Sequence, residues 1–515
     1  MIGIQVNCLK NPEERNNPIA ISDNWIIWGI METIVERLFI NAKKNPEKTA
    51  VVFENESIDY RMLGKKTLQC FCLFRECRVS ASDKIIIQGK YTTWFVACIF
   101  AAHLCNAVAI PIDKKPSEKA VLSLAEKVAA KLVITDFPVD RENNILFTTL
   151  EECSKFDVGF DTIIFPPVDS IADMIFTTGT TGNSKGVELT HRNLLVNVAV
   201  RTHEFGVKPE NVGITLVPLN HAAPMWLLYL SIYNGSTFIF LDGMSKIKLM
   251  YDYMDYYKVS SMYIPPASIS ALSMLSKDKL HDYAGQMDYV NTSSAPMQVS
   301  QQNYMREMLP KTRLFFSYSS SENGMVSLHR YHKDVRDITC CGRPCIGVDV
   351  RIVDDDYAEM PEGEPGRIII RSDMNMKGYY KMPELNAEVF HEGWFLSNDM
   401  GFIDAEGFLY VLGRKDDIIN IGGLKVYPSE IEIAALKIEG VRDCVCFPVN
   451  DDITGQAAKL LIKKHSGCDK TTIDIKRQIA AYIDQYKIPK SIEFTDRIER
   501  TANGKLDRKF YTDRK

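Results

Sequence analysis

Apolar runs of strand length alternate with helical patterns up to about residue 330. The runs 84-KIIIQG-89, 131-KLVITD-136, 213-GITLVPL-219 and 236-STFIFLD-242 are nearly continuous in apolar character. Strands buried on both faces of a parallel sheet read this way. Alternation with helices predicts α/β lobes. One stretch, 94-WFVACIFAAHLCNAVAIPI-112, has the length of a membrane span. His103 and Asn106 interrupt it and Pro111 ends it, so it reads as a buried helix, a turn near Asn106 and a short strand.

From Cys341 to Leu412 the texture changes. Short strands such as 348-VDVRIVD-354 and 367-RIIIRSD-373 are separated by Gly/Pro turns such as 361-PEGEPG-366, which predicts a β-rich lobe. The sharpest break is 413-GRKDDIINIGG-423, where a turn, a charged run, a short apolar strand and a Gly-Gly pair follow one another. In 427-YPSEIEIAAL-436, Pro428 suits the first turn of a helix. The remainder reads as a small α+β domain, with its boundary at Arg414–Asp416.

At 515 residues the chain exceeds what one hydrophobic core supports, so several lobes are expected. An apolar content of 46% with 25% charged residues fits a folded chain and excludes disorder. A net charge of −5 opposes nucleic-acid binding. Thirteen cysteines with no C-x-x-C pair fit reduced, buried thiols in a cytoplasmic protein. The start, MIGIQVNCLKNPEERNN, lacks the basic and apolar regions of a signal peptide, and no transmembrane segment is expected.

The stretch richest in chemistry is 174-MIFTTGTTGNSKGVELTHRNLL-195. Asp173–Thr177 reads as a buried strand, Gly186–Leu189 as a second one, and Thr190 as the N-cap of a helix starting at His191. Between the strands lies a loop of glycines and hydroxyls with one cation, Lys185. Bare backbone lets N–H groups close on an anion, and the hydroxyls and ammonium add donors and charge. A Walker loop needs Gly-Lys followed by a helix. Here Lys185 follows Ser184 and a strand comes next, so that reading is set aside while the phosphate chemistry stands.

The run TTGTTGNSKGV resembles the phosphate-loop signature of the adenylate-forming superfamily: acyl-CoA synthetases and other AMP-dependent synthetases and ligases, adenylation domains of nonribosomal peptide synthetases, and luciferases. Ser184 replaces the family's usual proline, which predicts a slightly looser turn. Further family motifs follow in order. The segment 216-LVPLNHAAPMW-226 resembles "LPxFH" and puts His221 at the gate of the carboxylate pocket. No acidic residue occurs from Gly213 to Ser236, which disfavours an α-amino acid, whose buried ammonium needs a counter-charge. The segment 293-SSAPM-297 resembles "GAAPL", with Ser293 in place of glycine. In 318-YSSSENG-324, similar to "YGxTE", Tyr318 would stack on adenine, Ser321 meet the α-phosphate and Glu322 hold Mg²⁺. Ser319 there replaces a glycine.

The longest match is 393-GWFLSNDMGFIDAEGFLYVLGRKDD-417. Asp399 would accept both ribose hydroxyls, Arg414 support ribose or phosphate, and Asp416 serve as the hinge; Asn398 replaces a usual glycine. In 421-IGGLKVYPSEIE-432, Gly422 and Gly423 would border the pantetheine tunnel and Lys425 meet a CoA phosphate. In 500-RTANGKLDR-508, Lys505 would stabilise charge building between a carboxylate and the α-phosphate.

The resemblance implies an α/β fold. Residues 1–413 form a large N-terminal domain of two doubly wound lobes and a β-barrel-like lobe. Residues 414–416 are a hinge, and 417–515 a small mobile α+β domain. It implies nucleotide contacts from Thr177, Thr178, Gly179, Thr180, Thr181, Gly182 and Lys185, from Ser294 and Ala295, and from Tyr318, Ser319, Ser320 and Ser321. Thr177, His221, Glu322 and Lys505 form the catalytic set. The implied reaction activates a fatty or aryl acid with ATP and Mg²⁺ to acyl-AMP, then passes the acyl group to CoA or a free acyl carrier protein. His221, Met225, Trp226, Pro265 and Ser294 suggest a pocket for an apolar tail. Three readings stay open beside it: a standalone enzyme loading an amino or hydroxy acid onto a carrier protein, a luciferase-like oxygenase, and an inactive nucleotide-binding scaffold.

Overall fold

The computed structural model describes residues 32–512 except 113–114, 157, 161–162, 178–183, 220–221, 335, 337–338 and 501–505, together with the short strands Ile21–Ser22 and Trp25–Ile26. Two large sheets organise the first 414 residues. In the seven-stranded sheet, Ile171–Thr177, Val108–Pro111, Lys84–Ile87, Leu132–Thr135 and Asn144–Leu146 run parallel, and Lys185–Thr190 and Gly378–Tyr379 close one edge antiparallel. In the second sheet, Arg313–Ser320, Tyr289–Thr292, Ser261–Tyr263, Val212–Thr215, Thr237–Phe240 and Thr49–Val52 are parallel neighbours. Its far edge continues through Gly324–His329 into Cys340–Pro344 and the antiparallel strands of the β-rich lobe, making one sheet of fourteen strands.

Period-two alternation explains how both faces are covered. Ile85, Ile87 and Ile134 from the first sheet and Val51, Phe238 and Phe315 from the second share one core with the helices Thr93–Leu104, His191–Phe205 and Ala222–Asn234 packed between them. Ile86, Ile110 and Val133 face the other way, onto the helix Glu118–Val128. Ile214, Met262, Val290 and Leu314 likewise turn to the helices Ile247–Tyr257 and Val299–Met308. Both sheets are therefore doubly wound.

The 94–112 stretch folds as its interruptions predict. The helix Thr93–Leu104 is buried nearly all round, Asn106 turns the chain with φ 54°, and Val108–Pro111 enters the sheet. Among the described residues no helix is long and apolar enough to cross a membrane. His103 is tolerated in that helix because its Nε2 lies 2.9 Å from Asp173 Oδ1, while the Tyr229 hydroxyl donates to Asp173 Oδ2 at 2.8 Å. A buried carboxylate with two partners is far cheaper than an orphan.

From Ile419 onward a five-stranded sheet carries the helices Pro428–Leu436 and Thr472–Ile479 on a core of its own, including Ile419, Ile431, Ala435, Ile462 and Ile475. The half-buried Arg508 ties the C-terminal tail down through Glu432 Oε1 and Oε2, at 2.8 and 2.6 Å, and faces Asp417 at 3.7 Å.

His191, the first residue of its helix, is fully buried, and neither ring nitrogen has a hydrogen-bond partner. Burial, then the ring of His103 at 5.0 Å, holds its pKa well below the ordinary 6.5. The unfolded chain then binds a proton that the folded chain refuses, so stability falls as the pH drops below about 6.5, by up to ~1.4 kcal/mol per pH unit. The urea midpoint should decline between about pH 7.5 and about pH 5.5, and His191→Gln should flatten that slope. An equal slope in the variant would show that His191 is not the group responsible.

Candidate functional site

The site forms where the carboxyl ends of the parallel strands meet, the usual ligand crevice of open α/β sheets. Thr177 and Lys185 are the last paired residues of the hairpin that carries the glycine loop. Thr178, Gly179, Thr180, Thr181 and Gly182 lie outside the described residues. After the hairpin, Thr190 and Asn193 form a reciprocal capping box that fixes the start of the helix. The turn expected to be looser at Ser184 lies outside the described residues, but its mouth is described. The Ser184 hydroxyl donates to the Thr177 carbonyl at 2.9 Å, and Lys127 Nζ donates to the Ser184 carbonyl at 2.9 Å. A proline could supply no such hydroxyl, so the serine ties the mouth of the loop by a different means.

From this mouth a chain of contacts crosses to the second sheet. Lys185 Nζ sits 5.0 Å above the ring of Tyr379, which pairs with Val187 on the sheet edge. The Tyr379 hydroxyl donates to Glu322 Oε1 at 3.0 Å. Burial and the Glu322 carboxylate push the Tyr379 phenol far up, so it remains a donor at any working pH. The Arg414 charge opposes that shift only in part. Tyr379 was missed in the sequence, where a lone tyrosine in 378-GYY-380 carries no signal.

Glu322 sits in the turn between Arg313–Ser320 and Gly324–His329. Ser320 Oγ is 2.9 Å from Asn323 Oδ1 and accepts from the Asn323 N–H, while Asn323 Nδ2 donates to Asn375 at 3.0 Å. Gly324 follows with φ 65°, and a Cβ there would meet Asn197 Oδ1 at 3.0 Å. The turn is thus rigid around the carboxylate. Ser321 is half-buried beside it. Ser319 occupies a bulge after Tyr318, and its hydroxyl is buried with no partner.

Tyr318 donates its hydroxyl to Asp399 Oδ2. Asp399 is opposite Arg414 across the two strands, with Arg414 Nε 4.0 Å from Oδ1. Burial and that carboxylate hold the Tyr318 phenol protonated. Oδ1 keeps acceptor capacity for a ligand hydroxyl. Asn398, where a glycine was expected, has a specific partner: its Nδ2 donates to Asp416 Oδ2 at 2.7 Å. That bond spans from the strand Trp394–Ile403 to the expected hinge residue.

Ser294 adopts φ 84°, a strained value for a residue with a Cβ, and its Oγ is 2.9 Å from the Tyr263 hydroxyl. Ala295 follows it, half-buried. Met225 and Trp226 are buried on the helix Ala222–Asn234, and Pro265 caps the helix Pro266–Leu275. His221 lies outside the described residues, as does Lys505. Gly422 and Gly423, with φ 59° and 92°, make the tight turn between Ile419–Ile421 and Leu424–Val426. Lys425 is exposed, and its Nζ lies 3.9 Å from Asp355, which also accepts from Lys415 at 2.6 Å.

Two family models match this chain: the AMP-binding enzyme model over residues 38–380, and the AMP-binding enzyme C-terminal domain over residues 430–505. The chain belongs to the AMP-binding enzyme family. A feruloyl-CoA synthase from Amycolatopsis sp. is 25% identical over 474 residues, covering 90% of this chain and 95% of that one. A 2-succinylbenzoate–CoA ligase from Geobacillus sp. (strain WCH70) is 25% identical over 491 residues, covering 93% and 96%. ATP-bound MatB from Rhodopseudomonas palustris superposes with a TM-score of 0.84 at 21% identity, covering 94% of this chain and 99% of that one. The o-succinylbenzoate CoA synthetase of Bacillus subtilis, with an acyl-adenylate bound, gives 0.80 at 21% identity, covering 93% and 98%. These superpositions establish a shared fold, with a large N-terminal and a small C-terminal part.

If Asp399 grips the ribose, Asp399→Ala should weaken AMP binding by roughly ten- to a hundredfold, the range of a lost hydrogen bond to a charged acceptor. Calorimetric titration of folded variant and parent measures this. Equal affinities would remove Asp399 from the site.

Proposed function

We propose that this chain is an AMP-forming acid–CoA ligase. A carboxylate oxygen of the acid attacks the α-phosphorus of ATP, and pyrophosphate leaves with the bond it breaks. The thiol of CoA then attacks the acyl carbon, and AMP departs with the bridging oxygen. The observation that carries this reading is the pair of contact chains Lys185–Tyr379–Glu322 and Tyr318–Asp399–Arg414, which meet because Tyr318 and Glu322 lie on one strand and the turn that follows it.

In this reading Thr177–Gly182 and Lys185 hold the phosphates, with Ser319–Ser321 beside them. Tyr318, Ser294 and Ala295 border the adenine, and Asp399 and Arg414 take the ribose. Glu322 is suited to magnesium: its carboxylate offers hard oxygens, and the described contact of its side chain is the Tyr379 donor. Among the described residues no trio of metal-binding side chains stands together, so the ion would be shared with substrate phosphates. Magnesium bound there would offset charge on the phosphates. His221 gates the acid pocket.

Lys505 supplies the cation that follows charge onto the transition state. The tail that carries it is anchored three residues later by Arg508. Residues 414–416 act as the hinge and 417–515 as the moving domain, which brings Gly422, Gly423 and Lys425 to the CoA. The Asn398–Asp416 bond then belongs to one hinge position and breaks in the other. CoA, rather than a carrier protein, is the acceptor we favour, and the cytoplasm, where CoA and ATP are abundant, the compartment.

Lys505→Ala should slow adenylate formation by ~10²–10³, the scale of a lost transition-state donor, and spare thioester formation from supplied acyl-AMP. Pyrophosphate release and thioester yield, measured separately, decide this. Equal losses in both half-reactions would contradict the assignment, and no acid-dependent pyrophosphate release by the parent would overturn the function.

A further inference from the structure

The helix His191–Phe205 points Asn197 and Arg201 to one side, four residues apart. Arg201 is 2% exposed. Its Nε donates to Asn197 Oδ1 at 3.0 Å, and its guanidinium lies 5.0 Å over the ring of Trp226. Among the described residues no carboxylate pairs with it. The groups that favour its charge are Tyr263, Cys345 and Tyr289, none of them anionic at neutral pH. Burial pulls its pKa down to about 10, so the side chain still carries its proton. Arg508, half-buried, shows the ordinary solution, a bidentate Glu432 with Asp417 close by. An unpaired buried guanidinium is costly unless something else completes it.

The polar groups around Arg201 are also incomplete. Among the described residues Asn197 Nδ2 has no partner, and neither does either polar atom of Asn291, which is 1% exposed. Asn291 lies beside Tyr263 in the sheet register, and Tyr263 reaches Ser294. On the same sheet face, Gly213 and Ser261 lie opposite Leu227. Between them is a cavity of about 20 Å³, lined also by Tyr263, Tyr289 and Asn291. Trp226 and Ser294 were expected to line a pocket for an apolar tail. A cation over Trp226, with unsatisfied amides on the same wall, does not suit such a tail.

We propose that Arg201 is a specificity-determining residue of the acid pocket, and that the acid this enzyme activates carries a second carboxylate. One carboxylate reacts with ATP, and the other stays ionised against the guanidinium fork, whose two terminal nitrogens match it in a bidentate pair. A monoacid of the same length leaves the guanidinium buried and unpaired, and is rejected for that reason. This inference rests on the ligase reading above.

The test is pyrophosphate release with ATP and CoA from matched acids, such as adipate against hexanoate and terephthalate against 4-methylbenzoate. The pairs should span about four to about ten carbons. The parent should favour diacids by roughly 10²-fold or more in kcat/KM, chiefly through KM. Arg201→Met should erase that preference while holding or raising the rate on monoacids, and Arg201→Lys should restore part of it. Parent activity on monoacids with no preference for diacids would overturn the inference and leave the ligase reading standing. So would an equal loss on both classes in Arg201→Met. Should that variant not fold, the parent's preference and the diacid KM of Arg201→Lys decide the matter. No release with any acid would overturn the ligase reading and this inference with it.

Discussion

The hydrogen bond from Tyr379 to Glu322 joins the two large sheets at the site. Tyr379 belongs to the edge of the seven-stranded sheet, and Glu322 to a turn of the fourteen-stranded one. The proposed phosphate and magnesium binding at this crevice would require the loop of one sheet and the carboxylate of the other to keep a fixed separation. Helices packed between the sheets set that separation coarsely. The phenol–carboxylate contact, with Lys185 over the same ring, sets it locally. Positioning within a fraction of an ångström is what converts bound groups into catalytic ones.

The proposed ribose side is built the same way, from residues on three strands. Tyr318 ends one strand of the parallel sheet, while Asp399 and Arg414 face each other on the β-rich lobe. Asn398 extends this cluster to Asp416. The nucleotide platform and the proposed hinge are therefore mechanically continuous. An exposed pair of this kind contributes little to stability, but it can bias which of two domain positions is populated.

What was legible in the sequence was local. The strand, loop, strand and capped helix around 171–205 follow from apolar runs, glycine, and Thr190 three residues before Asn193. The buried helix Thr93–Leu104 and its turn at Asn106 follow from length and interruption. Family motifs then supplied the identities of Asp399, Arg414 and Glu322. Contacts between distant residues were not legible. Tyr379 reaches Glu322 across 57 positions, and Ser184 closes the loop through a hydroxyl whose direction no periodicity encodes. Arg201 was hidden for a different reason: that, among the described residues, no carboxylate meets its charge can be seen only in three dimensions.

Acid activation through an adenylate can be followed by one oxygen atom. With the acid labelled in both carboxylate oxygens by ¹⁸O, and with ATP and CoA unlabelled, mass spectrometry of the nucleotide product measures where the label goes. One ¹⁸O per AMP is expected, because the bridging oxygen leaves with the phosphate when the thiol attacks carbon. Label in inorganic phosphate or pyrophosphate, or unlabelled AMP formed along with the thioester, would contradict the adenylate route.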